Sequence, residues 1–149
     1  MKQSIDFLPE RKQRDLHELV GLIRDEVKDV VMIILYGSYA RNTYVELDIR
    51  RDYGGGKIQY MSDYDILVVS KKRLGSRTVT VSSRVKSSFL KNKNADTQTR
   101  PQIINESITK FNNALSEGRY FYVDILTEGI VLYDSGECQL ATPCELNYS

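Results

Sequence analysis

Residues 30–38 of the chain read VVMIILYGS, a run of apolar and largely β-branched residues that stops at a glycine and a serine. Short continuous apolar runs of this kind are typical of strands that are covered on both faces. Residues 39–42 can then open a short helix, so the stretch predicts a buried strand, a tight turn and a helix N-terminus in succession. Gly37 and Ser38 are therefore candidates for binding a phosphate group through backbone amides.

The flanking sequence predicts helices and strands in alternation. Apolar residues recur at helical spacing before the first strand, which predicts a helix over about residues 9–28. Helix and strand signals compete between residues 74 and 93, where we favour the helix. The remaining pattern predicts strands at residues 63–69, 101–104 and 130–133, and helices around residues 108–115 and 121–125. These elements predict one α/β (α+β) domain with a small mixed sheet flanked by helices.

An inserted β-hairpin is predicted over residues 45–61. Apolar and polar residues alternate from Val45 to Ile49, and the alternation resumes at Ile58 and Tyr60 after three consecutive glycines. The glycines could instead bind phosphate, but neither a helix nor a Gly-Lys-Ser/Thr sequence follows them. We therefore favour a turn.

Asp63 and Asp65 are the candidate metal ligands. Residues i and i+2 of a strand point to the same face, so the two carboxylates should lie side by side. Magnesium suits such a pair, because it often takes one or two protein carboxylates and completes its octahedron with water and substrate phosphates. Combined with the turn at Gly37 and Ser38, the pair predicts a nucleotide site; taken alone, it would also fit a sugar-nucleotide glycosyltransferase.

Two motifs carry a resemblance to a known family. The sequences LYGSYARN (residues 35–42) and SDYDILV (residues 62–68) resemble the signature of minimal nucleotidyltransferases (MNT) of the DNA polymerase beta superfamily. The resemblance implies the nucleotidyltransferase fold and the Mg²⁺-dependent transfer of a nucleoside monophosphate, usually AMP from ATP, to a hydroxyl on a protein or RNA partner. It further implies two magnesium ions at Asp63 and Asp65, which would also be catalytic, and nucleotide binding by Gly37 and Ser38. Arg41 would bind the nucleotide through a phosphate or contact another part of the domain; the alternative is a structural arginine at a helix start.

The sequence departs from the family pattern in its third carboxylate. Active relatives generally carry a further acid on a later strand, yet the predicted strand at residues 101–104 contains none. Glu106 lies just beyond it and is the candidate for this catalytic role. The alternative is a weak or inactive nucleotide-binding and metal-binding module that regulates a partner. Asn42 also replaces a common glycine, which asparagine can do because it tolerates the left-handed conformation.

The end of the resembling region suggests a partner protein. Residues 128–134 (EGIVLYD) are similar to the close of this domain in proteins that join it to a HEPN domain. We therefore expect a HEPN-domain protein as partner, or a missing C-terminal HEPN half. The nucleotidyltransferase domain should span residues 1–135, and residues 136–149 should form a polar tail or linker.

Composition excludes several other classes. The chain has 149 residues, 41% of them hydrophobic, and carries no apolar stretch long enough for a membrane span, so we expect a soluble, cytoplasmic protein. Cys138 and Cys144 should be reduced thiols, and His17 should lie on the surface. Eight basic residues between positions 71 and 93 could attract a triphosphate, RNA or an acidic protein partner, but only one aromatic residue, Phe89, lies among them, so we favour a solvated helix face.

Overall fold

The computed structural model describes residues 1–51 and 53–141. Its elements in chain order are α1 (Glu10–Glu26), β1 (Val30–Tyr36), α2 (Gly37–Arg41), β2 (Asp48–Arg51), β3 (Lys57–Tyr60), β4 (Tyr64–Ser70), α3 (Arg77–Leu90), β5 (Pro101–Ser107), α4 (Ile108–Ser116), α5 (Tyr120–Glu128) and β6 (Ile130–Asp134).

The central sheet has four strands in the order β5-β4-β1-β6. Strand β1 is antiparallel to both of its neighbours, whereas β4 and β5 are parallel, so the sheet is mixed. Strands β2 and β3 form a separate antiparallel hairpin. The predicted fold class, a small mixed sheet flanked by helices with an inserted hairpin, is confirmed.

Each face of the sheet has its own core. On one face, Ile33 and Leu35 of β1 pack with residues of α1 and α3 such as Leu19 and Phe89. On the other face, Ile34 packs with α4 and α5. Because both faces are covered, β1 is apolar along its whole length rather than alternating. Burial of each side chain of this size stabilises the fold by about 1.5–3 kcal/mol, so the buried side chains of β1 together make a large contribution to stability.

Strand β5 is longer than the sequence pattern predicted. It extends to Ser107 and therefore contains Glu106. The Ser107 hydroxyl accepts a hydrogen bond from the backbone N–H of Lys110 at 3.2 Å, so the strand passes directly into α4 through an N-cap. Helix α3 is confirmed over Arg77–Leu90, where its apolar positions Val81, Val85 and Phe89 are buried.

The structure shows where the residues predicted to lie on the surface are found. His17 is exposed. Four of the eight basic residues form ion pairs with glutamates, as expected for a solvated surface: Lys71, Arg73, Arg84 and Lys93. In the portions of the chain that are described, we find no helix with the length and apolarity that crossing a bilayer requires.

The first part of the predicted tail packs on the domain. The Asn112 side chain donates to the carbonyl of Gln139 at 3.0 Å and accepts from the backbone N–H of Ala141 at 2.8 Å. Cys138 carries a free thiol and packs at the edge of the α4–α5 core. The rest of the predicted tail, including Cys144, lies outside the described residues.

Candidate functional site

The turn after β1 adopts a conformation that requires glycine. Gly37 has φ +74°, a backbone region that residues with a side chain rarely adopt. Helix α2 follows for only five residues and is anchored by the buried side chains of Tyr39 and Ala40. It ends at Asn42, which has φ 59° and ψ 37°, so the expectation of a left-handed asparagine is confirmed. Because α2 is so short, its dipole is small, and any anion here would depend on the individual amides of the turn.

Asp65 approaches this turn closely. It is paired with Tyr36 across the antiparallel β1–β4 ladder, one residue before Gly37. A Cβ atom placed on Gly37 would lie under 3.0 Å from Oδ2 of Asp65. The missing side chain of Gly37 therefore makes the room that the Asp65 carboxylate occupies.

Asp63 lies on the same side of the chain as Asp65. Tyr64, between them, is fully buried in the opposite direction, where its hydroxyl donates to Asp15 at 2.7 Å. Asp63 directly precedes β4 and is exposed, whereas Asp65 is half-buried. The alternation of side chains around Tyr64 thus brings together the two carboxylates that the sequence predicted as neighbours.

The two carboxylates repel each other. Burial raises the pKa of Asp65, the negative charge of Asp63 raises it further, and the guanidinium of Arg41 opposes the change. Burial, together with the charge of Asp65, also raises the pKa of Tyr36 to about 12. Negative charge is therefore concentrated at this end of the sheet, and a cation bound between the aspartates would relieve the repulsion.

The donor set fits magnesium bound together with a phosphate ligand. No group of three or more His, Cys, Asp or Glu side chains is arranged to hold a metal ion in the described ranges. Asp63 and Asp65 supply only carboxylate oxygens, which magnesium accepts in ones or twos alongside water and phosphate oxygens. The pair does not fit a closed zinc site, which would need four protein ligands.

Glu106 does not reach these carboxylates, which corrects the expectation for it. The parallel register pairs Asp65 with Gln102 and Val69 with Glu106. Four residues of strand separate the two positions, or about 13 Å. The Glu106 carboxylate is 6% exposed and accepts hydrogen bonds from the backbone N–H of Ser107 at 3.2 Å and the Tyr122 hydroxyl at 3.4 Å. The residue that pairs with Asp65 in this register is Gln102, so the neighbouring strand supplies no carboxylate at the level of Asp65.

Arg41 bridges the turn and α5. Its guanidinium lies 3.3 Å from the Glu128 carboxylate, and both side chains are partly exposed. It also lowers the pKa of Asp65, so it lies within electrostatic reach of the carboxylates. An exposed ion pair of this kind contributes little stability, so Glu128 holds Arg41 only weakly.

The hairpin begins and ends beside Asp63. Val45 and Ser62 are joined by two hydrogen bonds, from Val45 N–H to the Ser62 hydroxyl at 2.8 Å and from Ser62 N–H to the Val45 carbonyl at 2.9 Å. A cavity of about 250 Å³ adjoins this junction and is lined by Leu47, Met61, Asp63, Ala95, Asp96 and Arg100. The insertion therefore borders the site instead of projecting away from it.

Sequence reasoning did not single out Gln102 or Phe121. The position of Gln102 beside Asp65 depends on the register between two strands, which no local pattern encodes. The sequence predicts that Phe121 lies in a helix, but it does not predict the contact of its ring with Tyr36, at a centroid separation of 6.1 Å. Its signal in the sequence is a large aromatic residue in a run of three, YFY at residues 120–122.

Comparisons with known proteins give a sparse result. No family model matches the chain, and no curated protein matches it. Among solved structures, it is similar to a toxin-antitoxin with AMP-PNP at 16% identity and a TM-score of 0.46, covering 82% of this chain and 75% of that one. It is also similar to a candidate nucleotidyltransferase from Sulfolobus solfataricus at 17% identity and a TM-score of 0.43, covering 86% of this chain and 87% of that one. At these levels of identity and TM-score, neither structure assigns a function to this chain.

Proposed function

We propose that this chain binds a nucleoside triphosphate with Mg²⁺ at the site of Gly37, Ser38, Asp63 and Asp65 and transfers the nucleoside monophosphate, AMP from ATP, to a hydroxyl of a protein or RNA partner. The observation that supports the proposal is the Asp65 carboxylate seated against Gly37, with Asp63 close enough to raise its pKa. Paired carboxylates beside a turn that has no side chain suit a metal-bound polyphosphate.

Each residue of this site would have a distinct task. Asp63 and Asp65 would hold the magnesium, which when bound neutralises charge on the phosphates. The backbone amides of Gly37 and Ser38 would bind the triphosphate oxygens, and the Ser38 hydroxyl is a further donor. Arg41 would leave Glu128 for a phosphate oxygen, because a guanidinium binds phosphate through two parallel hydrogen bonds.

The chemical step is an in-line displacement. The acceptor oxygen forms a bond to the α-phosphorus, the bond from that phosphorus to the β-bridging oxygen breaks, pyrophosphate leaves, and the hydroxyl proton passes to solvent water. Positioning and charge neutralisation are most of what phosphoryl transfer requires from a protein. The residues around Gly37 would supply the positioning.

One observation favours a second candidate function. Gln102, an amide, lies beside Asp65 in the strand register, and Glu106 is held elsewhere by Tyr122 and Ser107. Among the described residues, no third carboxylate joins Asp63 and Asp65 to take the acceptor proton. The second candidate is therefore a module that binds nucleotide and metal and uses them to regulate a protein partner of the HEPN type.

Labelled ATP distinguishes the two functions. The chain is incubated with Mg²⁺, ATP labelled on the α-phosphate and candidate acceptors, and its melting temperature is measured with and without nucleotide. Transfer of label supports the enzyme, whereas stabilisation without transfer supports the binding module. A ligand at one hundred times its Kd stabilises by about 2.7 kcal/mol, which a melting curve resolves.

The site itself is tested by Asp63→Asn combined with Asp65→Asn. We expect the double variant to fold and to lose Mg²⁺-dependent ATP binding. The matched control is Asp6→Asn combined with Asp25→Asn, which removes the same charge from two exposed positions. If the Asp63 and Asp65 double variant binds Mg²⁺ and ATP as well as the control does, the site assignment is wrong.

A further inference from the structure

Phe121 lies against Tyr36, next to the proposed nucleotide site, and much of its surface is uncovered. Its side chain is 49% exposed, although it lies next to the half-buried Tyr36. Tyr36 is the last residue of β1 and the cross-strand partner of Asp65. A single tyrosine ring therefore separates Phe121 from the strand end that carries the carboxylate.

The ring is held in place by aromatic neighbours. Phe121 meets Tyr36 with an interplanar angle of 85°, and it meets Tyr122 at 5.5 Å and 80°. Tyr122 in turn packs against the fully buried Phe111 at 5.6 Å. Edge-on contacts of this type are favourable and orient a ring while leaving part of its surface open.

Helix α5 aligns Phe121 with the proposed phosphate contacts. Phe121 and Glu128 are seven residues apart, close to two helical turns, so they lie on the same face. Glu128 pairs with Arg41 of α2. This face of α5 thus has the Phe121 ring, which contacts Tyr36, at one end and the Glu128–Arg41 ion pair at the other.

We propose that Phe121 is a stacking platform for the base of the nucleotide, and that it makes the site selective for purine over pyrimidine triphosphates. This inference rests on the proposed function, because it needs the triphosphate to lie at Gly37 and Asp65. Stacking depends on the area of overlap, so a purine gains more than a pyrimidine, and no hydrogen-bond readout is required. Adenine and guanine nucleotides should therefore bind with similar affinity, and cytosine and uracil nucleotides more weakly.

The test separates the base from the phosphates. Calorimetric titration measures the Kd of Mg-ATP and of Mg-tripolyphosphate, a probe without a base, for the parent chain and for Phe121→Ala, Phe121→Trp and Tyr120→Ala. Tyr120 is the matched control, because it is the adjacent aromatic residue and is 50% exposed. We expect Phe121→Ala to weaken Mg-ATP about tenfold or more and Mg-tripolyphosphate less than about twofold.

The other variants complete the comparison. Phe121→Trp should retain Mg-ATP affinity, since indole offers a larger stacking face. Tyr120→Ala should leave both affinities unchanged. Parent titrations with GTP, CTP and UTP measure the base preference directly.

Each outcome has a distinct meaning. If Phe121→Ala keeps the parent affinity for Mg-ATP, or if the parent binds all four triphosphates equally, the stacking proposal is overturned while the phosphate site stands. If the parent binds neither Mg-ATP nor Mg-tripolyphosphate, the proposed function fails as well. Equal weakening of both ligands in Phe121→Ala would mean that the ring supports the structure of the phosphate site, and would also overturn base stacking.

Discussion

The Asp65 carboxylate occupies the space that a Cβ atom on Gly37 would need, so any larger residue at this position would force the carboxylate to move. The contact joins the end of β1 to the start of β4, which the antiparallel register sets side by side. Glycine at this position serves two purposes, since it also adopts φ +74°. Backbone conformation and steric room can be separated experimentally, because other glycines in the chain satisfy only one of these conditions.

Gly37→Ala should destabilise the fold and abolish Mg-ATP binding. The added methyl group meets Oδ2 of Asp65 and strains a backbone with positive φ, which together cost about 1–3 kcal/mol. Gly55→Ala is the matched control, since Gly55 has φ +82° with nothing within 4 Å of an added Cβ. Urea unfolding and calorimetric titration measure the two effects. Equal losses of stability in both variants would mean that the contact with Asp65 adds nothing to the backbone strain.

Asp65→Asn should stabilise the metal-free protein at neutral pH. Burial and the charge of Asp63 raise the pKa of Asp65 above 3.8, so the folded state holds this proton more tightly than the unfolded chain does. The stability of the parent should therefore fall as pH rises from 3.8 through the folded pKa. The asparagine variant lacks this dependence, and its advantage should disappear below pH 3.8.

Thermal melts of parent and variant across this pH range, with a chelator present, measure the difference. Asp25→Asn is the control, because Asp25 is exposed. If the Asp65→Asn variant is less stable than the parent at neutral pH, the charges of Asp63 and Asp65 do not destabilise the metal-free protein, and the prediction is wrong.

The sequence predicted the local part of the site well. The turn at Gly37 and the proximity of Asp63 to Asp65 follow from patterns within a few residues; in the structure Gly37 has positive φ, and Asp63 is close enough to raise the pKa of Asp65. The identity of the residue beside Asp65 depends instead on how β4 and β5 align, which is a contact between distant segments. Glu106 is the acid nearest in sequence to the predicted strand at residues 101–104, yet the parallel register places it about 13 Å along the sheet from Asp65.

Burial of charged residues was the second feature that sequence reasoning missed. Lys12 is 4% exposed, although lysine is among the residues least often buried. Its spacing gives a signal, because positions 12, 16, 19 and 23 fall on one stripe of α1 and the last three are apolar. What the spacing does not reveal is the partner, since Tyr39 and Thr99 come from distant parts of the chain.

Gln102→Glu should increase transfer of labelled AMP to an acceptor. The substitution places a carboxylate beside Asp65, where the strand register already holds the amide. A positioned general base contributes about a hundredfold or more in rate, so even an imperfect placement should raise transfer by about tenfold. Glu106→Gln is the comparison variant and should leave transfer and Mg-ATP binding unchanged, because that carboxylate faces Tyr122 and Ser107. The role assigned to position 102 is wrong if Gln102→Glu leaves transfer at the parent level, or if Glu106→Gln abolishes it.

Lys12→Met should be tolerated, whereas Lys12→Ala should not. The Lys12 ammonium donates to the Tyr39 hydroxyl at 2.9 Å and to the Thr99 hydroxyl at 2.7 Å. Those two hydroxyls are themselves 3.1 Å apart, so they can satisfy each other when the ammonium is removed. Methionine keeps most of the buried stem and should change stability by about 1 kcal/mol or less, whereas alanine leaves a cavity and should cost about 2 kcal/mol more.

The pH dependence gives an independent check on the same residue. Burial, reinforced by the charge of Arg11, lowers the pKa of Lys12 below 10.5. The unfolded chain therefore binds this proton more tightly, and the stability of the parent gains a contribution as pH rises through the folded pKa towards 10.5. Lys12→Met should lack that contribution, which urea unfolding at a series of pH values measures. If methionine proves as destabilising as alanine, the hydrogen bonds of the ammonium, rather than the packing of its stem, hold α1 against α2.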